Sequence, residues 1–225
     1  SPVWDTGLAL HALLESGMDP DDPAIAKAMH WLDEREITDV AGDWAEQRPG
    51  LAPGGWAFQY RNDHYPDVDD TAVVGMAMHR ANPQARPETL ERTRAWIEGM
   101  QSQNGGWGAF DADNTHYHLN HIPFADHGAM LDPPTADVSA RCLGMLSQMG
   151  YDRDHPSIQR AIAYLKNDQE EDGSWFGRWG TNYIYGTWSV LSALNAAGED
   201  MSQPYIRKAV DYLTNFQRED GGWGE

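Results

Sequence analysis

The sequence predicts an all-α fold, part of an α/α barrel (a toroid) of paired helices. Three observations predict it. Apolar residues recur with helical spacing in eight stretches along the 225 residues. No convincing run of alternating strand residues breaks that pattern. A short motif ending in Trp recurs in register, with Gly-rich turns inside its copies. Repeated helical units bury their apolar faces against one another, and closing them into a barrel buries every face.

The helical stretches, in order, are 3–16, 23–35, 70–79, 87–101, 136–149, 156–167, 186–197 and 203–216. Pro23, Pro87 and Pro156 suit the first turn of a helix, where a missing N–H costs no intrahelical bond. Ala161, Ile162, Tyr164 and Leu165 form one apolar face, and Ala209, Val210, Tyr212 and Leu213 form another. The longest irregular stretch runs from 108 to 134, a length that in a compact domain points to a functional or mobile loop.

One repeat unit reads Trp96-Ile97, Gln101, Gly105-Gly106-Trp107. A second reads Tyr164-Leu165, Gln169, Gly173-Ser174-Trp175, and a third Tyr212-Leu213, Gln217, Gly221-Gly222-Trp223. A worn copy begins at Trp31-Leu32 with Glu36 in place of Gln, and Gly54-Gly55-Trp56 reads as its detached second half. Within each unit the Gly step ends the helix, since Gly tolerates positive φ. The Trp then packs back on the helix end, and the Gln bonds exposed main-chain groups there. On this reading the repeat is a structural staple.

Sixteen basic and 35 acidic side chains give a net charge of −19, which repels phosphate backbones and so argues against a nucleic-acid partner. It argues equally against docking on anionic lipid through a basic patch. The single cysteine, Cys142, allows no intrachain disulfide. Ten Trp and nine Tyr are an unusual load for this length. Most serve packing, while a minority can present π faces to a cation.

Asp67-Val68-Asp69-Asp70 crowds three carboxylates just before the helical run Thr71-Ala72-Val73-Val74. One Asp suffices as a helix cap. Three neighbouring carboxylates cannot all ionise cheaply, so one is expected to keep its proton at neutral pH, although the helix dipole pulls the other way.

The Asp-x-Asp-Asp segment, together with three Gln…Gly-x-Trp repeats, resembles the class II terpene cyclases. Trp175-Phe176-Gly177-Arg178-Trp179-Gly180 and Asn182-Tyr183-Ile184-Tyr185-Gly186 narrow the resemblance to the squalene–hopene branch. Ser1-Pro2-Val3-Trp4-Asp5-Thr6-Gly7 and Asn120-His121-Ile122-Pro123-Phe124 do the same. The related oxidosqualene cyclases carry a different acid motif, with only one of these aspartates. The match covers essentially all 225 residues. It implies that residues 1–225 are a partial catalytic α/α-barrel domain truncated at both ends, and that the isolated piece does not catalyse.

The resemblance also implies an isomerase, an intramolecular transferase that cyclises squalene to hopene, or hopanol, without a cofactor. By position Asp69 is the proton donor to a terminal alkene. Asp67 and Asp70 hold and orient it, and Asp5 and Asp137 are further acidic positions that support it. Trp4, Phe58, Phe110, Trp179 and Tyr185 line the cavity that steadies the carbocations. Phe110 stands where some relatives have Tyr. One departure is Arg141, four residues after Asp137, where the best-known pattern has His. Asp137 and Arg141 share a helix face at this spacing. An Arg can hydrogen-bond an acid but cannot shuttle protons near neutral pH, so water or a neighbouring Asp would have to reprotonate Asp69.

The same resemblance implies a peripheral, monotopic protein on the cytoplasmic face of a membrane, drawing squalene from the lipid. A homodimer stays open, as does another polyprenyl substrate. Three rivals stand beside this reading. A zinc prenyltransferase-like α/α barrel would recruit ligands from Asp111, Asp113, His116, His118, His121 and Cys142. A sugar-cleaving enzyme on the same barrel class would use two separated carboxylates. A non-enzymatic helical toroid would only bind a partner.

Overall fold

The computed structural model of the chain describes residues 1–122 and 131–225. The element order is α1 (Pro2–Glu15), α2 (Pro23–Asp33), α3 (Trp44–Gln47), β1 (Trp56–Ala57), β2 (Pro66–Asp67), α4 (Val68–Ala81), α5 (Pro87–Gly99), a 3-10 turn (Tyr117–His121), α6 (Ala136–Gln148), α7 (Pro156–Asn167), α8 (Tyr183–Ala196) and α9 (Pro204–Asn215). Every expected helix is present. No periodicity or motif marks the one-turn α3 or the two-residue antiparallel pair β1–β2. Pro123 and Phe124 of the quoted Asn120–Phe124 motif lie outside the described residues.

Two helix starts differ from expectation, and both matter for the site. The first of these, α4, begins at Val68 rather than 70, because Asp67 caps it: its carboxylate accepts the main-chain N–H groups of Asp69 (2.8 Å) and Asp70 (3.1 Å). Asp69 and Asp70 therefore lie in the first helical turn, not before the helix. The second, α8, begins at Tyr183 rather than 186, which makes Tyr185 helical.

The chain forms two compact units, 1–100 with 109–112 and 101–108 with 113–225. In the first, α4 is the central helix, packed by α1, α5 and β1. Ten of its fourteen residues are buried, so no polar face is expected of it. Gly7 lets α1 approach closely: a methyl there would stand 2.9 Å from Val73 Cγ1. In the second unit α6 holds the corresponding place, against α7 and α8. The outer helices α2, α5, α7 and α9 all start with Pro at the first position and bury one stripe only.

The repeats act as staples in the expected way. Trp175 Nε1 donates to the Leu165 carbonyl (2.6 Å), Trp223 Nε1 to Leu213 (2.7 Å) and Trp56 Nε1 to Leu32 (2.8 Å). The last of these joins the two halves of the worn copy. Gln101 Nε2 donates to the carbonyls of Gly105 and Ser157, both at 2.9 Å. Gln169 Nε2 does the same with Gly173 (2.8 Å) and Tyr205 (2.9 Å). These two Gln side chains thus tie their own turns to the start of the next outer helix. Glu36 has no donor, and the partner changes accordingly. It accepts from Thr89 Oγ1 (3.0 Å) and, through both oxygens, from the Arg92 guanidinium (2.8 Å each).

Candidate functional site

The first unit gathers the acid residues at the start of α4. Asp67, Asp69 and Asp70 are 6%, 8% and 2% exposed, and such burial of three carboxylates is rare unless they are paired or protonated. Burial pushes the Asp67 carboxyl well above the usual carboxylate range, and the charges of Asp70 and Asp69 push it further. The two main-chain N–H bonds that Asp67 accepts pull it down, but less strongly. Three carboxylates in this setting oppose one another's ionisation.

Short segments bring two aromatics to that helix start. Trp56 pairs with Asp67 and Ala57 with Pro66, which places Phe58 one residue beyond the end of β1. The Val68 N–H donates to the Ala109 carbonyl (2.7 Å), which fixes Phe110 next to the same turn. Phe58 is 46% exposed, while Phe110 and, on α1, Trp4 are half-buried. Asp5 stands apart. It lies on α1, and its side chain is exposed.

The second unit gathers the other predicted residues. Asp137 is 1% exposed at the start of α6. One of its oxygens accepts from Thr135 Oγ1 (2.7 Å) and the other from the Trp179 main-chain N–H (2.9 Å). Asp137 therefore fixes the backbone that carries Trp179, whose ring is 41% exposed. One turn on, the Arg141 guanidinium donates to the Tyr185 hydroxyl and lies 5.9 Å from that ring's centroid. In this unit Arg141 is thus held by Tyr185, a partner that the sequence did not suggest.

Sequence reasoning missed three hydroxyls that set these positions. The main-chain N–H groups of three repeat Trp residues are each received by a Ser or Thr on the following inner helix. Trp56 donates to Thr71 (2.9 Å), Trp107 to Ser139 (2.8 Å) and Trp175 to Thr187 (3.0 Å). Asp69, Asp137 and Tyr185 each stand two residues before that hydroxyl. The repeat therefore presents one candidate residue per inner helix in a common register. The readable signal was the recurrence of Asp69-Asp70-Thr71, Asp137-Val138-Ser139 and Tyr185-Gly186-Thr187.

The histidine loop does not assemble as the zinc rival required. Asp113 Oδ1 accepts the Gln103 N–H (2.7 Å), and Cys142 is buried within α6. Among the described residues no three His, Cys, Asp or Glu side chains form a ligand set.

The family model for the squalene-hopene cyclase C-terminal domain matches residues 1–225. A squalene-hopene cyclase from Schizosaccharomyces japonicus is 61% identical over 203 residues, which cover 87% of this chain and 31% of that protein. One from Zymomonas mobilis is 60% identical over 200 residues, covering 87% and 30%. The chain thus spans about a third of the length of these relatives. Among solved structures, a type II terpene cyclase variant from Scytonema, in complex with geranylgeranyl dihydroxybenzoate, superposes with a TM-score of 0.65 at 20% identity, covering 99% of this chain and 57% of that one. At that identity the likeness speaks for the fold.

Proposed function

This chain belongs to the squalene–hopene cyclase family, and on that premise we propose that the protein it is part of cyclises squalene to hopene by protonating a terminal alkene. The observation that carries the reading is the buried run Asp67, Asp69 and Asp70 at the start of α4, with the Asp67 carboxyl held above its ordinary range.

An unactivated alkene is a very weak base, so its proton donor must be kept protonated and out of water until substrate arrives. Crowding of the three carboxylates favours the first, and their burial at the start of α4 favours the second. The alkene π pair takes the proton of Asp69, leaving a carboxylate and a tertiary carbocation. Asp67 anchors the helix turn through its two N–H bonds and so aims Asp69. The cation then passes along the polyene as rings close. Trp4, Phe58, Phe110, Trp179 and Tyr185 offer π faces that stabilise positive charge without bonding to it. Loss of a proton from the final cation gives hopene, and capture of water gives hopanol. Arg141, fixed on Tyr185, adds a permanent charge and no proton to give, so water or a neighbouring Asp returns the proton to Asp69.

The substrate's apolarity favours access from a lipid surface, and the resemblance to the family carries the monotopic placement on the cytoplasmic face. No described helix is long and apolar enough to cross a membrane. Asp5 keeps its assignment as a supporting acid by resemblance alone.

The test uses the longer parent protein, squalene and detergent, with extracts read by gas chromatography and mass detection. A pentacyclic product that disappears in Asp69→Asn, in a protein with unchanged circular dichroism, supports the reading. An active Asp69→Asn variant refutes the role of Asp69. A folded parent that leaves squalene intact moves the substrate to another polyprenyl compound.

A further inference from the structure

In the second unit the ring of Tyr185 sits in a slot made by two glycines. A methyl at Gly180 would overlap Cδ1 and Cγ of that ring and stand 2.6 Å from its Cε1. A methyl at Gly177 would stand 2.6 Å from the same Cδ1. The ring therefore lies directly against the main chain at both positions. Neither glycine has a left-handed φ, in contrast to Gly173 at +99° and Gly198 at +73°. What calls for Gly at 180 is the ring, not a backbone shape that other residues avoid. The two positions differ in one respect. All three atoms nearest a methyl at Gly180 belong to the Tyr185 ring, whereas a methyl at Gly177 also meets the Asn182 carbonyl (2.9 Å) and the Gly186 nitrogen (3.1 Å).

The slot is one side of a closed circuit. Asp137, on α6, accepts the Trp179 N–H (2.9 Å) and so fixes the turn next to Gly180. The Asn182 carbonyl accepts from the N–H groups of Gly177 (3.1 Å) and Gly186 (3.0 Å), which ties that turn to the start of α8. Tyr185 lies in the first turn of α8, and its hydroxyl accepts from the Arg141 guanidinium, one turn after Asp137 on α6. That bond and the slot constrain different things. The hydroxyl lies on the long axis of the ring, so a bond there leaves rotation about the axis free. The torsion that sets the plane of a Tyr ring is broad by itself. Cδ1 lies off the axis, so main chain packed against it sets the plane.

We propose that Gly180 is a positioning residue for Tyr185: its bare Cα sets the plane of that ring, and with it the direction in which the π face meets a carbocation. The inference rests on the reading of Tyr185 as a residue that steadies the cations of the cyclisation. A methyl at 180 turns or displaces the ring, and cation–π attraction holds only over the ring face. A cation that loses this support part-way gives up a proton early, and a product with fewer rings leaves. The yield of pentacycle then falls more than the consumption of squalene does.

The test uses the longer parent protein and two readouts, of which the first needs no turnover. Gly180→Ala lowers the thermal midpoint by at least about 1 °C, as overpacking does in a protein of that length. The same change in a Tyr185→Ala background does not, because the overlapping atoms are gone. In a Tyr185→Phe background the loss persists, since the ring and not the hydroxyl fills the slot. Gly177→Ala keeps part of its loss beside Tyr185→Ala, because its overlap with main chain remains. The second readout is the product pattern by gas chromatography. Gly180→Ala raises the share of products with fewer rings at least about 3-fold, the partition expected from weakening one cation–π contact. It adds nothing to the share that Tyr185→Ala already gives. Equal midpoint losses with and without the Tyr185 ring overturn the slot. Coupled midpoints with an unchanged product share overturn the positioning role. A parent that leaves squalene intact overturns the reaction and the product arm with it, while the midpoints still decide the slot.

Discussion

The three glutamines of the repeat make a graded series whose order follows from what each side chain reaches. Replacing Gln by Leu keeps the volume and deletes the amide. Gln101→Leu removes the bonds to the Gly105 and Ser157 carbonyls at a position 5% exposed, so water does not replace them. At about 1 kcal/mol for each neutral bond that is ~2 kcal/mol. The Arg160 guanidinium, which donates to Gln101 Oε1, is exposed at the surface and adds no more than about 1 kcal/mol. The expected loss is therefore about 2–3 kcal/mol. Gln169→Leu removes two bonds from a half-buried site, about 1–2 kcal/mol. Gln217→Leu removes one exposed bond, below about 0.5 kcal/mol. For a chain of this size each kcal/mol moves the thermal midpoint by roughly 2–4 °C. Gln101→Leu should thus fall by at least about 4 °C, while Gln217→Leu stays within about 2 °C of the parent. Thermal and urea unfolding by far-ultraviolet circular dichroism measures the series. Equal losses at all three positions, or the largest at Gln217, would refute the staple as the source of the energy.

Three further outcomes are expected. Asp67→Asn keeps the helix cap, since Asn accepts the same N–H bonds, but removes a buried acid whose folded pKa is raised. The contribution of such a group is full below the unfolded pKa of about 3.9 and is lost as pH rises towards the folded value, so the stability of the Asn variant relative to the parent should climb from about pH 4 upward. Urea titrations between pH 4 and 8 decide it, and a difference that shrinks with pH contradicts it. Gly105→Ala meets both a φ of +96° and the Arg160 carbonyl, whereas Gly17→Ala meets a φ of +87° in open space. The first should cost more than about 3 kcal/mol and the second about 1–2 kcal/mol, read from unfolding midpoints. Thr187→Val leaves the buried Trp175 N–H without its acceptor and should cost about 1–3 kcal/mol, with Thr187→Ser close to the parent in the same unfolding assay.

The sequence by itself determined the all-α class, the eight long helices and the register of the repeats. Helical periodicity, first-turn prolines and the Gly step are local signals, and local chemistry sets them. It also singled out Asp67, Asp69 and Asp70, because three adjacent carboxylates exceed what a cap needs. Only the tertiary structure decided that Asp67 is the cap and that Asp69 and Asp70 lie inside α4, a shift of two residues that turns on the main-chain N–H groups of Asp69 and Asp70 donating back to the Asp67 carboxylate. It alone assigned Arg141 to Tyr185, 44 residues away in sequence, and Asp137 to the backbone of Trp179, 42 residues away. It alone found the hydroxyls of Thr71, Ser139 and Thr187, which look like ordinary helix residues until the Trp of the preceding turn arrives. Their partners are set by how helices pack, and that information is spread along the chain rather than written at any one position in it.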